Sequence, residues 1–157
     1  MLEQIKSFFS NYLLMSALVS WLGAQIVKVF TGMFKERKFD LATLLFSTGG
    51  MPSSHSAVVC GLAVASIVLN GWGSSFTAIA IVLAIIVMID ASGVRYETGK
   101  QAQIINKIIK ELFSHENTPE EFNMKLKELV GHTPIQVTMG AIFGIACALV
   151  LAIFMVW

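Results

Sequence analysis

The stretch of sequence that decides the fold is Ser53–Ile89, which reads SSHSAVVCGLAVASIVLNGWGSSFTAIAIVLAIIVMI. It contains no Asp, Glu, Lys or Arg. A helix needs about 20 apolar residues to cross a bilayer, so this stretch is long enough for two spans. The run Asn70-Gly71-Trp72-Gly73 combines two glycines with polar neighbours, which predicts a turn between them. We therefore expect helices near residues 54–70 and 75–91.

Two further stretches lack charged residues, namely Ser7–Val27 and Thr133–Trp157. They predict helices near residues 8–30 and 134–156. Only 13% of the 157 residues are charged, whereas soluble domains carry about 25%. Since backbone polar groups in hydrocarbon must be satisfied within the protein, the spans are expected to be helical. The predicted fold class is all-α, a polytopic transmembrane bundle of about four helices that forms one domain over residues 1–157.

The basic residues are distributed unevenly between the two ends of the predicted bundle. With four spans, residues 31–53 and 92–133 fall on one side of the membrane, and they hold three and six of the 11 Lys and Arg residues. Short loops rich in Lys and Arg face the cytoplasm. We therefore expect a multi-pass protein of the cell membrane, with both segments in the cytoplasm and both termini outside.

Residues 92–133 are predicted to form a cytoplasmic helical hairpin inserted between the last two spans. Isoleucines and other apolar residues recur at helical spacing between Ile104 and Phe113. The run Thr118-Pro119-Glu120-Glu121 has an N-cap, an early proline and a capping-box glutamate, and Gly131 is a good helix stop. We expect this hairpin to lie on the bundle or at headgroup level, with substrate contact as a smaller role.

The first candidate site is the run Gly49-Gly-Met-Pro-Ser-Ser-His-Ser56, which leads into the second predicted span. Free N–H groups and the positive end of the helix dipole make a helix start a favourable place for an anion. Ser53 and Ser54 add hydroxyl donors, and His55 is placed to protonate a leaving oxygen, because imidazole titrates near neutral pH. The alternative is that Pro52 and Ser53 only start and cap the helix.

His132 occupies a similar position, in His132-Thr133-Pro134 at the start of the last span and on the same face as His55. Gln136 follows one turn later, and its carbonyl can accept a ring N–H from His132. That bond would fix the tautomer and leave the other ring nitrogen free to attack phosphorus. The alternative is a simple helix cap. His115 is interpreted as an exposed loop residue without a role.

Charged residues at the same predicted membrane level complete the candidate site. Lys28 ends the first span, and Lys35 lies two turns further if the helix continues. Arg95 follows the third span, and its planar guanidinium suits phosphoryl oxygens. Asp90 either pairs with Arg95 or Lys28, or acts as a catalytic carboxylate. An intramembrane ionisable residue is by default a candidate for function.

No cofactor is expected. Two histidines without a fixed third ligand do not make a zinc site, and magnesium would need more carboxylates than Asp90 supplies. No nucleic-acid partner is expected either. The G-x-x-x-G pattern at Gly140 and Gly144 predicts close packing against a helix, either in the same chain or in a second copy within a homodimer.

Three runs in this sequence resemble a known family. They are Gly49–Ser56, the stretch Asp90–Gln101, and Leu129–Pro134 followed by two glycines. Together they resemble the divergent PAP2 group, also described as the acid phosphatase/vanadium-dependent haloperoxidase-related family. The resemblance covers most of the chain, and the first and third runs together make it fairly specific.

The resemblance implies a mechanism and a set of residues. Lys28 and Lys35 match a phosphate-binding Lys and Arg that have six residues between them, and the serines and His55 of the first run match a hydroxyl, a backbone N–H and an acid histidine. His132 matches the nucleophile. The resemblance therefore implies a phosphohistidine intermediate that water hydrolyses without a metal.

The chain departs from the PAP2 pattern at several positions. Lys35 stands where an Arg is usual, Glu36 where a Pro is usual, and Ser54 where a Gly is usual. The position six residues before His132 is Leu126 instead of Arg, so Arg95 is the candidate for that role. Gln136 replaces the Asp that orients the nucleophile, and Asp90 is the candidate for the missing carboxylate.

Three hypotheses follow for function. The first is a phosphatase for a lipid phosphate monoester or diphosphate, with substrates of the inner leaflet such as phosphatidylglycerophosphate or a phosphatidic acid favoured over a polyprenyl diphosphate. The second is a catalytically silent protein that binds lipid phosphate or acts as a scaffold. The third is a subunit of a larger membrane complex, in which the histidines only cap helices.

Overall fold

A computed structural model of the chain describes residues 1–36, 50–112, 126 and 131–156, with the backbone alone for residues 32–36 and 112. Within these ranges the regular structure is entirely helical. The helices are α1 Leu2–Phe9, α2 Tyr12–Glu36, α3 Ser54–Asn70, α4 Ser75–Ser92, α5 Val94–Leu112 and α6 Pro134–Met155.

Three helical segments have the length and apolar composition needed to cross a membrane: Tyr12–Thr31, Ser75–Glu111 and Pro134–Met155. α3 is apolar but has only 17 residues. At about 1.5 Å per residue it is roughly 25 Å long, slightly less than a hydrocarbon core of about 30 Å. The structure thus confirms the predicted all-α membrane bundle, in which the second predicted helix is shorter than the others.

The short helix α3 is the centre of the bundle, since it packs against α2, α4 and α6. Its buried residues are mostly Ser, Ala and Gly, which allow neighbouring backbones to approach closely. On α6, a Cβ atom at Gly140 would collide with the carbonyl of Ser53, and one at Gly144 with the carbonyl of Ala57. The G-x-x-x-G pattern therefore packs within the same chain.

The predicted turn between α3 and α4 is confirmed. Gly71 has a φ of 75°, a left-handed conformation that favours glycine. The hydroxyl of Thr77 lies 2.9 Å from the Gly71 carbonyl, to which it donates, and 3.1 Å from the hydroxyl of Ser66. Asn70 donates to Ser66 at 3.2 Å. Side-chain hydrogen bonds thus hold the two helices together at the end of the bundle away from Lys28.

The first predicted helix, near residues 8–30, has different bounds in the structure. The chain breaks at Ser10–Asn11 into the short α1 and the long α2, which continues to Glu36. The Asn11 side chain accepts the N–H of Leu14 at 3.2 Å, as an N-cap does, and the Ser10 hydroxyl donates to the carbonyl of Lys6 at 2.8 Å. The two polar residues thus end one helix and start the next.

The first helix of the predicted hairpin is present as α5. The second, predicted over residues 118–130, lies outside the described residues except for Leu126. The amide of Asn106 donates to the Leu126 carbonyl at 2.9 Å and accepts its N–H at 3.0 Å. A Cβ at Gly131 would collide with the backbone of Arg95 and Tyr96. Leu126 and Gly131 therefore lie alongside α5.

Candidate active site

The candidate residues meet at one end of the bundle, where α2 and α4 end and α3, α5 and α6 begin. Two backbone hydrogen bonds join these elements. The N–H of Ser53 donates to the Gln136 carbonyl at 3.0 Å, and the N–H of His132 donates to the Ala91 carbonyl at 3.1 Å. The starts of α3 and α6 are thus tied to each other and to the end of α4.

The serines at the start of α3 have separate roles. Ser53 is the N-cap, and its buried hydroxyl oxygen accepts the N–H and the O–H of Ser56 at 3.4 and 3.1 Å. Ser53 therefore caps α3, which is the alternative considered for this residue in the sequence. The hydroxyl oxygen of Ser54 accepts a hydrogen bond from Nζ of Lys28 at 3.3 Å. Lys28 and Ser54, which are predicted separately to bind phosphate, are therefore in contact with each other.

Lys28 is buried beneath the loop that precedes α3. Gly50 in this loop has a φ of 93°, and a Cβ added there would lie 3.1 Å from Cγ of Lys28. The hydroxyl of Thr31 donates to the carbonyl of Met51 at 2.9 Å and holds the loop against α2. The backbone conformation thus favours glycine at position 50, and a larger residue there would also require Lys28 to shift. Lys35 lies seven residues further along α2, and its side chain is outside the described part of the chain.

The two histidines are neighbours. Their ring centroids are 6.1 Å apart and the ring planes are inclined by 77°. His132 is 2% exposed, whereas His55 is accessible. Among the residues that the structure describes, no group forms a hydrogen bond with Nε2 of His132. Nearly all buried polar atoms in proteins have a hydrogen-bond partner, so this nitrogen is unusual.

Burial, followed by the positive charges of Lys28, His55 and Arg95, lowers the pKa of His132 to about 4. Burial acts in this direction because it removes the water that stabilises an imidazolium ion. At neutral pH the ring of His132 is therefore uncharged. An uncharged imidazole has a free electron pair on one nitrogen, which is the form that attacks phosphorus.

Gln136 is part of a capping box at the start of α6. Its side-chain carbonyl accepts the N–H of Thr133 at 2.9 Å, and its own N–H donates to the Thr133 hydroxyl at 3.4 Å. From the sequence, this carbonyl is predicted to accept a ring N–H of His132. The structure gives it a backbone partner instead, because Thr and Gln three residues apart satisfy each other at a helix start.

Asp90 and Arg95 form an ion pair, with Oδ2 and Nε 2.6 Å apart. This is one of the two alternatives left open for Asp90. Both side chains are partly exposed, so water screens the pair. Asp90 therefore faces Arg95 at the rim of the site. No group of three or more His, Cys, Asp or Glu side chains that could hold a metal is found within the described ranges.

A cavity of about 220 Å³ lies between these residues. It is lined by His55, Ile86, Val87, Asp90, Ala91, Arg95 and His132. The charged and titratable groups are the ones predicted from sequence. The apolar wall of Ile86, Val87 and Ala91 is not predicted from sequence, because nothing distinguishes these residues from other apolar residues of a spanning helix.

Comparison with known proteins places this arrangement in a family. Residues 9–147 match the profile of the Divergent PAP2 family. The chain belongs to the divergent PAP2 family. The matched range includes every candidate residue from Lys28 to Gln136, so the resemblance expected from the sequence is confirmed.

This divergent PAP2 protein is also similar to the uncharacterized membrane protein YuiD of Bacillus subtilis (strain 168). The two are 41% identical over 153 residues, which cover 92% of this chain and 96% of the relative. No solved structure matches the chain. The family and the similar membrane protein agree with the bundle described above.

Proposed function

We propose that this divergent PAP2 protein is a phosphatase for a phosphate monoester or diphosphate of a lipid. The observation that carries the proposal is the state of His132. Its ring is buried and neutral at pH 7, and its Nε2 has no partner within the described residues. His55 is next to it, in the wall of the same cavity.

The same end of the bundle offers groups that bind phosphoryl oxygens. Lys28 and Arg95 contribute positive charge, and Ser54 contributes a hydroxyl. The first N–H groups of α3 have no acceptor within their own helix and favour an anion. Lys35 is a further candidate. These groups would neutralise the charge that builds up on phosphorus in the transition state.

The reaction proceeds in two displacements. A nitrogen of the neutral His132 ring attacks phosphorus, and the bond from phosphorus to the lipid oxygen breaks while protonated His55 transfers its proton to that oxygen. Water then attacks the phosphohistidine, and His55 accepts a proton from it. The phosphorus–nitrogen bond breaks, which releases inorganic phosphate and restores His132. Side chains of the protein supply the nucleophile and the acid, and the proposed mechanism needs no metal.

A lipid substrate fits the apolar part of the cavity. Ile86 lines the cavity and is also exposed on the outer surface of the spanning helix α4. A hydrocarbon chain can therefore lie against Ile86 and Val87 while the phosphate stays beside the histidines. The basic loops favour a cytoplasmic site, which would select lipid phosphates of the inner leaflet.

Phosphate release from purified protein in detergent tests this proposal. We expect turnover of at least one member of a panel of lipid phosphates, unaffected by EDTA. His132→Ala should abolish it, and His55→Ala should lower it by roughly 10²–10⁴-fold, as for loss of a general acid. His115→Ala is the matched control and should retain activity. EDTA-sensitive turnover, or full activity without His132, would exclude the mechanism.

A catalytically silent lipid-phosphate binder is the second candidate. It is favoured by the lack of the carboxylate that PAP2 phosphatases use to orient the nucleophile, because Gln136 occupies that position and Asp90 pairs with Arg95. A silent binder would show no turnover of any lipid but would still be stabilised against thermal unfolding by lipid phosphate. His132→Ala would then leave the stabilisation largely intact.

A further inference from the structure

We propose that α5 lies in the headgroup layer of the bilayer and binds anionic lipids through the face that carries Ile104, Ile105 and Ile108. None of these three isoleucines lines the cavity, so the binding to lipid would occur on a separate surface. Binding of α5 to anionic lipid does not depend on whether the protein is a phosphatase.

These three isoleucines form one exposed apolar face. They are 60%, 44% and 48% exposed. At about 100° per residue they fall within an arc of roughly 100°. The other side of α5 is packed, since Ala102 is buried and Asn106 holds the backbone of Leu126. The isoleucines thus face away from the other residues that the structure describes, and a contiguous exposed apolar surface usually marks a binding site.

The bilayer is the partner that we propose for this surface, because the isoleucine face of α5 continues the apolar surface of the neighbouring helix α4. α4 exposes Ile86 and Ile89 on its spanning surface, and Val94 at the start of α5 is exposed as well. Only Gly93 separates the two helices. The apolar surface that α4 presents to acyl chains is therefore continued by α5, at the level where the spanning segment meets the headgroups.

The charge of α5 favours an anionic surface. The helix contains Arg95, Lys100, Lys107 and Lys110 but only Glu97 and Glu111, for a net charge of +2. The three lysines lie outside the isoleucine arc, and their long stems let the ammonium groups reach headgroup phosphates. The pairs Lys100–Glu97 and Lys107–Glu111 are exposed and weak, so they can exchange for lipid phosphates.

The position of α5 has a consequence for the cavity. Arg95 is in the first turn of α5 and lines the cavity. A helix anchored along the headgroup layer would hold this guanidinium at the depth of a lipid phosphate. Binding to anionic lipid would thus limit the movement of Arg95 away from the site.

The test compares thiols on the two faces of α5 in the full chain. Ile105→Cys places a thiol on the apolar face, and Gln103→Cys is the matched control on the polar face two residues away. Each variant is reconstituted into vesicles of phosphatidylcholine alone or mixed with phosphatidylglycerol. Peptide mass spectrometry then measures how fast a water-soluble maleimide modifies each position, so the native cysteines stay in place. Both positions lie on the same side of the membrane, so vesicle orientation affects them equally.

We expect the thiol at position 105 to react more slowly than that at position 103, because an apolar layer suppresses the reactive thiolate. The difference should grow when phosphatidylglycerol is present and shrink at high salt. Equal rates in all vesicles would overturn the proposal. Protection that depends on the protein-to-lipid ratio would overturn it too, because the occupant would then be a second copy of the chain.

Discussion

His132 combines burial with a surplus of neighbouring positive charge, and both effects keep its imidazole neutral. The pKa of an unperturbed histidine is 6.5, whereas that of His132 is lowered to about 4. The unfolded chain therefore binds a proton at a pH where the folded chain does not. The stability associated with this residue is complete above pH 6.5 and is lost as the pH falls towards 4.

This difference predicts the effect of acid on the folded protein. The gap between the two pKa values corresponds to on the order of 3 kcal/mol of unfolding free energy. His132→Gln cannot be protonated, so we expect it to lose less stability than the wild type between pH 7 and pH 4. Thermal unfolding in detergent at several pH values measures this. Parallel loss in both proteins would mean that His132 is not the titrating group.

At the scale of the element, Gln136 at the start of α6 has two possible roles. As an N3 residue it closes the capping box with Thr133, and as the neighbour of His132 it stands where PAP2 phosphatases have an orienting carboxylate. In the structure, Gln136 has the first role, that of a capping-box residue. Its side-chain carbonyl stabilises the helix that positions His132.

Two substitutions separate these roles. Gln136→Glu keeps a capping-box side chain and should retain thermal stability, whereas Gln136→Ala should lose roughly 1 kcal/mol, as for a missing cap. Unfolding in detergent measures the stability, and phosphate release measures the activity. If Gln136→Ala lost all activity at unchanged stability, Gln136 would act on His132 instead of on the helix.

The sequence predicts elements better than it predicts their contacts. Charge-free stretches reveal spanning helices because hydrocarbon penalises charge, and the glycines near Gly71 reveal a turn. The break at Ser10–Asn11 is missed because apolar residues flank it on both sides. The contact of Gly144 with Ala57 depends on which helices are neighbours, and the spacing of residues along one helix does not contain that information.

In the candidate site too, the sequence predicts the residues better than the contacts between them. Its histidines and cations are predictable because each lies near the end of an apolar stretch, where ionisable residues are rare and usually functional. The pairing of Asp90 with Arg95 and of Lys28 with Ser54 needs the tertiary structure, since each side chain has several possible partners at that end of the bundle. The apolar cavity wall at Ile86 has no sequence signal.

At the scale of the whole molecule, the distribution of basic residues predicts the orientation in the membrane. Cysteines introduced singly at Lys107 and Gly73 should behave oppositely in intact cells. We expect an impermeant thiol reagent to modify Gly73→Cys directly and Lys107→Cys only after the membrane is permeabilised. Labelling of position 107 from outside would place the site on the other face of the membrane.

The whole arrangement brings a buried neutral histidine, an accessible histidine and two cations to one end of a membrane bundle. The central claim is that His132 carries the phosphoryl group during catalysis. Rapid quenching of a single turnover with a lipid phosphate labelled at phosphorus tests it most directly. We predict a transient label on the peptide that contains His132 and none in His132→Ala. Release of inorganic phosphate at an undiminished rate by His132→Ala, with no label on the protein, would contradict the account.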